Sequence, residues 1–332
     1  MKKYFIMLCM AALSASVFAQ TVKSLSSPDG NIRVDVSIDK GITYDVFCGN
    51  EQVLSDCRLS MDIEGNVLGS LPKLQSVKRQ KVNDVKRPFL KLKFAEVPNS
   101  YNEMTLVMKG NYSVVFRAYN DGMAYRFVTS LKGEVKVNHE DITVFFPQDA
   151  QLVLQQSDRY RTSYEERYSF VKSSEWLSFN KMAHYPVLAI TSGGTKILMS
   201  ESDLCDYPAP FFRSNDANGF SSVFPRVPAI EKPRTDKSND ILLRKPYIAK
   251  TQGTRSFPWR YFVIAKDEAA LLTNTMTCRL AQDSKLEDVS WIHPGQASWE
   301  WWNGAVPYGP EVNFKAGLNV ETYKYFMDFA SK

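Results

Sequence analysis

Short runs in which every second side chain is apolar recur along this chain, and a period of two commits them to antiparallel strands. Ile32, Val34, Val36 and Ile38 alternate with Arg33, Asp35 and Ser37. Leu90, Leu92 and Phe94 alternate with Lys91 and Lys93, and Leu106 and Met108 follow. Tyr44 to Leu54 reads as a hairpin over Gly49-Asn50, with Cys48 opposite Glu51. Tyr112 to Tyr119 turns through Asn120-Asp121-Gly122 into Met123 to Val128, the Asp-Gly pair supplying the positive φ that such turns use. Further strands are expected at 142–146, 187–191 and 197–201, the last two joined by Gly193-Gly194, and at 259–264. Many short strands at this spacing indicate a β-sandwich. Residues 213–240, rich in Pro, Asn, Asp, Lys and Arg, read as a long surface loop.

The ends of the chain have a different character. Met1-Lys2-Lys3, an apolar run from Tyr4 to Val17, and small residues at Val17 and Ala19 make a three-part export signal, with cleavage expected after Ala19. Removing it leaves 313 residues with a net charge of +3, from 332 residues and +5. The expected location is periplasmic or secreted, with no membrane attachment after cleavage. Residues 267–276 read as a helix with Asp267 and Glu268 in its first turn. Residues 297–302 then read as a strand, 303–315 as a loop, and 320–332 as a helix with Tyr323, Phe326, Met327 and Ala330 on one face. A strand, a loop and a helix make one βα unit.

Composition and motifs exclude several functions. A chain that is 44% hydrophobic and 23% charged is a folded globular protein. A net charge this small, spread along the chain, leaves no nucleic-acid footprint. There is no glycine-rich phosphate loop and no C-x-x-C pair. Cys48, Cys57, Cys205 and Cys278 read as free thiols, because the hairpin over Gly49-Asn50 separates the first two far beyond bridging distance. His139, His184 and His293 show no metal-binding spacing. His184 is the one histidine that could serve as a base for a sugar mutarotase, and the sequence offers it no obvious glutamate partner.

Seven short motifs stand in one order: Ser27-Pro28-Asp29-Gly30-Asn31, Asn120-Asp121-Gly122, Tyr125-Arg126-Phe127, Ser256-Phe257-Pro258-Trp259-Arg260, Asn274, Ser290-Trp291-Ile292-x-Pro294-Gly295 and Trp299-x-Trp301-Trp302. In that register the chain resembles the amino-terminal region of glycoside hydrolase family 97, secreted bacterial α-glucosidases and α-galactosidases. The resemblance implies a large antiparallel β-supersandwich of the galactose-mutarotase-like kind, followed by the first βα unit of a truncated (β/α)8 barrel. It divides the chain into a signal (1–19), a sandwich (20–280), a connector (281–298) and the start of the barrel (299–332). It also implies a calcium ion held mainly by barrel carboxylates plus one sandwich glutamate. The segment Arg161-Thr-Ser-Tyr-Glu165-Glu166-Arg-Tyr168 resembles the stretch carrying that glutamate, which places Glu165 on the ligand, with Glu166 as the alternative.

The catalytic carboxylates of the family sit on later barrel strands, so none is assigned here. One carboxylate cannot supply the six to eight oxygens that calcium takes, and bound calcium is not expected in this chain alone. Trp301 or Trp302 is expected to stack on a sugar and Asn303 to hydrogen-bond a hydroxyl, since substrate binds at the carboxyl ends of barrel strands. The expected partner is an oligosaccharide, from which the complete enzyme would remove terminal α-linked hexose. A non-catalytic carbohydrate-binding or interaction module is the alternative. Glucose or galactose, retention or inversion, and oligomeric state stay open at this level.

Overall fold

Alternation becomes sheet wherever apolar side chains can meet across a second layer. The computed structural model describes residues 21–88, 93–215, 218–236, 238–295, 297–299 and 304–332. The export signal and Leu90 and Leu92 of the expected lysine-flanked strand lie outside the described residues. The described chain forms two units: residues to Gln282 apart from Pro88, and Pro88 with Asp283–Lys332.

In the first unit eighteen strands join in one sheet, and a separate two-stranded ribbon pairs Pro228–Thr235 with Ser238–Arg244. The 24-residue strand Gly122–Phe145 organises the sheet by changing neighbours along its length. Its start pairs with Tyr112–Tyr119 and Trp259–Ala265, its middle with Ala249–Ser256, and its end with Glu51–Ile63 and Gly219–Val223. A strand that switches partners in this way carries the ladder from one layer of a sandwich to the other. Ile32, Val34, Val36 and Ile38 are buried in the main core, as their alternation requires. A smaller core forms around Tyr101, Tyr119, Trp259, Tyr261 and Val263, closed by Met276 and Leu280. The strand Trp259–Ala265 lies between the two and is buried on both faces.

Several local expectations change in the structure. Residues 213–240 are not a loop: the chain runs through Phe211–Ser214, Gly219–Val223 and the ribbon. Phe220 pairs with Val144 in the ladder and is 1% exposed, so one buried aromatic anchors a stretch whose composition reads as loop. Proline is tolerated at Pro228 and Pro233 because a two-stranded ribbon has free edges. The helix expected over 267–276 is two short helices, α1 (Glu268–Leu272) and α2 (Met276–Leu280). Asp267 caps α1 by accepting from the Ala270 amide at 2.9 Å. Asn274 ends it: its amide donates to Asp121 at 2.8 Å while its side-chain oxygen accepts from the Met276 amide at 2.8 Å.

In the Asn120-Asp121-Gly122 turn the positive φ falls on Gly122, at 156°, which pairs with Tyr119, so that Asn120 and Asp121 form the turn between them. Cys48 does face Glu51 across the first hairpin, and all four cysteines are free thiols. In the second unit, residues 297–299 form no strand, so the opening strand of a barrel is not seen in the described residues. The helix is present as α3 (Val320–Ala330), capped by Asn319, which accepts from the Thr322 amide at 2.9 Å.

Glu51 ties two of these hairpins together. Its carboxylate accepts from the Thr191 and Thr195 hydroxyls and pairs with Lys266 at 2.9 Å. Burial raises its pKa, but those hydrogen bonds outweigh burial and hold the carboxyl below its ordinary 4.5. A depressed carboxyl stabilises the fold fully above that ordinary value and loses its contribution as pH falls through the folded one. Urea midpoints measured between about pH 6 and 3 are expected to fall less steeply in Glu51→Gln than in the parent. Equal slopes would show that the network contributes nothing.

Candidate functional site

Residues 158–167 link the strands Gln151–Ser157 and Tyr168–Lys172 and carry the two adjacent carboxylates. The pair divides. Tyr164 takes a φ of 58°, unusual for a residue with a Cβ. Beyond it Glu165 is exposed, while Glu166 turns in. The Glu166 carboxylate accepts from the Thr162 hydroxyl, and its carbonyl accepts from the Gln155 side-chain amide. Its Oε2 stands 3.8 Å from His184 Nε2. The Thr162 hydrogen bond first, and His184 after it, hold the Glu166 carboxyl below its usual range.

His184, on the strand Met182–His184, is 3% exposed. Its Nδ1 lies 3.0 Å from the Tyr185 carbonyl, which can only accept, so that nitrogen carries a proton. Tyr164 meets the imidazole edge-on at 4.5 Å between ring centres. The structure therefore gives His184 the glutamate that sequence order concealed, because a loop residue and a strand residue meet only in the folded sheet.

A cleft of about 660 Å³ opens beside this pair, a size suited to a small ligand. Tyr160, Tyr164, Tyr207 and Phe211 supply its aromatic wall. Tyr160 stands edge-on to Phe211 at 5.1 Å. Neither Glu166 nor His184 lines the cleft, so the mutarotase reading acquires a dyad but no place for a sugar beside it. Composition alone does not reveal this cleft, since its residues are drawn from five separate segments between 160 and 250.

A second charged group lies deeper. Arg260 is fully buried and forms a two-pronged pair with Glu140, Nε at 2.9 Å and a terminal nitrogen at 2.7 Å. Its other terminal nitrogen donates to Glu201. Burial pushes the Glu201 carboxyl up, against the pull of Arg260. These carboxylates are locked in a structural pair.

The remaining expected site residues fall elsewhere. Trp301, Trp302 and Asn303 lie outside the described residues. Trp299 is 60% exposed and lines a groove of about 470 Å³ in the second unit with Tyr308, Phe326 and Phe329. His139 packs edge-on against Phe224 at 6.2 Å, and His293 is exposed. Among the described residues no three His, Cys, Asp or Glu side chains gather closely enough to hold a metal ion. Glu165 offers one outward carboxylate, a fraction of what calcium takes. No described helix is long and apolar enough to cross a membrane.

Residues 25–282 match the family model described as the glycosyl-hydrolase 97 N-terminal domain. The chain is 33% identical over 345 residues to a retaining alpha-galactosidase of Bacteroides thetaiotaomicron, an alignment covering all of this chain and 51% of that protein. It is 26% identical over 295 residues to a probable retaining alpha-galactosidase of Streptomyces bingchenggensis, covering 88% of this chain and 42% of the relative. Among solved structures, a glycoside hydrolase family 97 enzyme from a Pseudoalteromonas species, in complex with acarbose, superposes with a TM-score of 0.74 at 21% identity. That match covers 93% of this chain and 46% of the other. A beta-arabinopyranosidase superposes with a TM-score of 0.77 at 19% identity, covering 93% and 49%. The chain thus spans about half the length of the relatives it matches.

Proposed function

Since the chain belongs to the amino-terminal domain family of glycoside hydrolase 97, we propose that it is the amino-terminal part of an exo-acting, retaining α-galactosidase. Such an enzyme removes terminal α-linked galactose from oligosaccharides. The observation that carries this reading is the 33% identity, along the whole chain, to a retaining alpha-galactosidase. We take residues 1–19 as the export signal, which places the protein in the periplasm or outside the cell.

The catalytic carboxylates belong beyond this chain. A retaining glycosidase needs two carboxyl groups about 5–5.5 Å apart across the scissile bond. Glu140 and Glu201 are bound to Arg260, Glu166 is bound to Thr162, and among the described residues Asp206 is the one acid lining the cleft. Calcium would take Glu165, the exposed member of the loop pair, as one ligand among others supplied by the rest of the enzyme. The ion would add positive charge at the substrate. Glu166, held inward by Thr162, fixes the loop that presents Glu165. The carbohydrate-binding module remains a second reading, favoured by the aromatic-lined cleft.

The test assays p-nitrophenyl α-galactoside and α-glucoside, with calcium, on the 332-residue chain and on a longer reading frame containing it. The longer protein is expected to prefer the galactoside and to release the α-anomer first. The chain alone is expected to show no turnover. Hydrolysis by the chain alone would refute the placement of the carboxylates, and inactivity of the longer protein would favour the binding module.

A further inference from the structure

A row of apolar side chains crosses one face of the sheet and ends at an open edge. Val263, Leu198, Leu188, Val153 and Phe170 stand opposite one another in successive ladders. At one end Val263 is buried with Met276 and Leu280. At the other, Phe170 is 74% exposed on the strand Tyr168–Lys172, with Tyr168 exposed beside it. That strand is registered with Gln151–Ser157 on one side and, among the described residues, with no strand on the other. Folded proteins protect such edges with charge, proline or a bulge. The long edge Leu74–Lys86, whose one registered neighbour among the described residues is Val97–Met108, follows that rule, with Lys78, Arg79 and Lys81 exposed along it. Tyr168–Lys172 does not. It holds no proline, its register is unbroken, and its one charge is its last residue.

An edge of this kind extends a sheet by lending its free amides and carbonyls to a further strand. The sequence Tyr-Ser-Phe-Val-Lys fits its own copy. Antiparallel pairing about a two-fold axis through Phe170 engages all five residues: Phe170 with itself, Ser169 with Val171, and Tyr168 with Lys172 of the second copy. Only the residue on the axis meets its own like, so the lysines never face each other. Each ammonium lies instead beside a tyrosine ring, an attractive arrangement. Lys172 is exposed and forms no ion pair among the described residues, so no existing partner is given up. The two Phe170 rings cover each other at the point where the apolar row runs out, and aromatic cross-strand pairs stabilise sheets. We propose that the chain forms a symmetric dimer in which Tyr168–Lys172 pairs antiparallel with the same strand of a second copy, one sheet running through both. The inference stands apart from the α-galactosidase reading.

Sedimentation velocity on the 332-residue chain, and on the longer reading frame containing it, tests the dimer. Both are expected to dimerise and to dissociate on dilution, as a small interface does. Phe170→Lys sets two ammonium groups against each other on the axis, and should weaken the dimer at least about tenfold while leaving the urea midpoint unchanged. The register is read by cross-linking in a Cys205→Ser, Cys278→Ser background, with copper–phenanthroline as oxidant. Tyr168→Cys mixed with Lys172→Cys should form a covalent dimer, because residues opposite each other stand about 4.5–5.5 Å apart between Cα atoms. Neither variant alone should, since each residue lies four positions, about 13 Å, from its own copy along the partner strand. Monomers at every concentration would overturn the proposal, as would a dimer that survives Phe170→Lys or cross-linking as strong in the single variants as in the mixture. A longer protein that stays monomeric would also overturn it, by placing this edge under the rest of the enzyme. No turnover is read, so failure here leaves the glycosidase assay untouched.

Discussion

Replacing Arg260 with methionine is expected to remove about 3–5 kcal/mol of folding free energy, because it strands buried carboxylates without their cation. Glu140 is 2% exposed and its two oxygens are both bonded to Arg260; Glu201 shares the same guanidinium. Burial makes each of those charges expensive once unpaired. The triple variant Arg260→Met, Glu140→Leu, Glu201→Gln should recover much of the loss, since removing both signs together leaves little unpaired charge. Urea unfolding of the three proteins measures both effects. A single-variant loss below about 1 kcal/mol would mean that the carboxylates find protons or water on replacement.

Replacing Gly122 with alanine should have the next largest effect, about 3 kcal/mol, the upper end for one added carbon in a packed core. A Cβ there would stand 2.2 Å from the Phe262 carbonyl oxygen and 2.8 Å from the Met276 methyl. The methionine can move. The carbonyl belongs to a strand whose Val263 is paired with Gly122 itself, so relief requires opening the ladder between Gly122–Phe145 and Trp259–Ala265. Thermal unfolding of Gly122→Ala, with Gly30→Ala as a control that meets no atom within 4 Å, separates crowding from loss of glycine. Equal shifts in the two variants would refute the crowding account.

These two residues show what the motifs of this chain encode. Asp29 donates its amide to the Asn120 side chain at 3.1 Å, and Asn274 donates to Asp121 at 2.8 Å. Arg126 and Arg117 both lie over the Trp259 ring, 4.2 and 4.5 Å from its centre. Residues far apart in sequence, read at first as marks of a glycosidase family, assemble around the Asn120-Asp121 turn and the strand Trp259–Ala265. They hold the sandwich together. The outward Glu165 and the aromatic cleft, which offer chemistry to a ligand, belong to segments with little periodicity to read.

Alternation in the amino-acid sequence determined that this chain is antiparallel sheet, where its hairpins turn, and that Glu165 and Glu166 adjoin on one loop. The motifs in their order determined its family. Local pattern could go no further, because a period of two separates the faces of a strand without saying what covers each. Long-range pairing decided that Arg260 points into a core rather than into solvent. It decided that Glu166 meets His184 while Glu165 faces outward, and that Phe211–Ser214 and Gly219–Val223 join the main sheet while Pro228–Thr235 and Ser238–Arg244 pair apart from it. Each of those outcomes depends on burial and charge pairing between segments tens of residues apart, which exist only after the strands have found their neighbours.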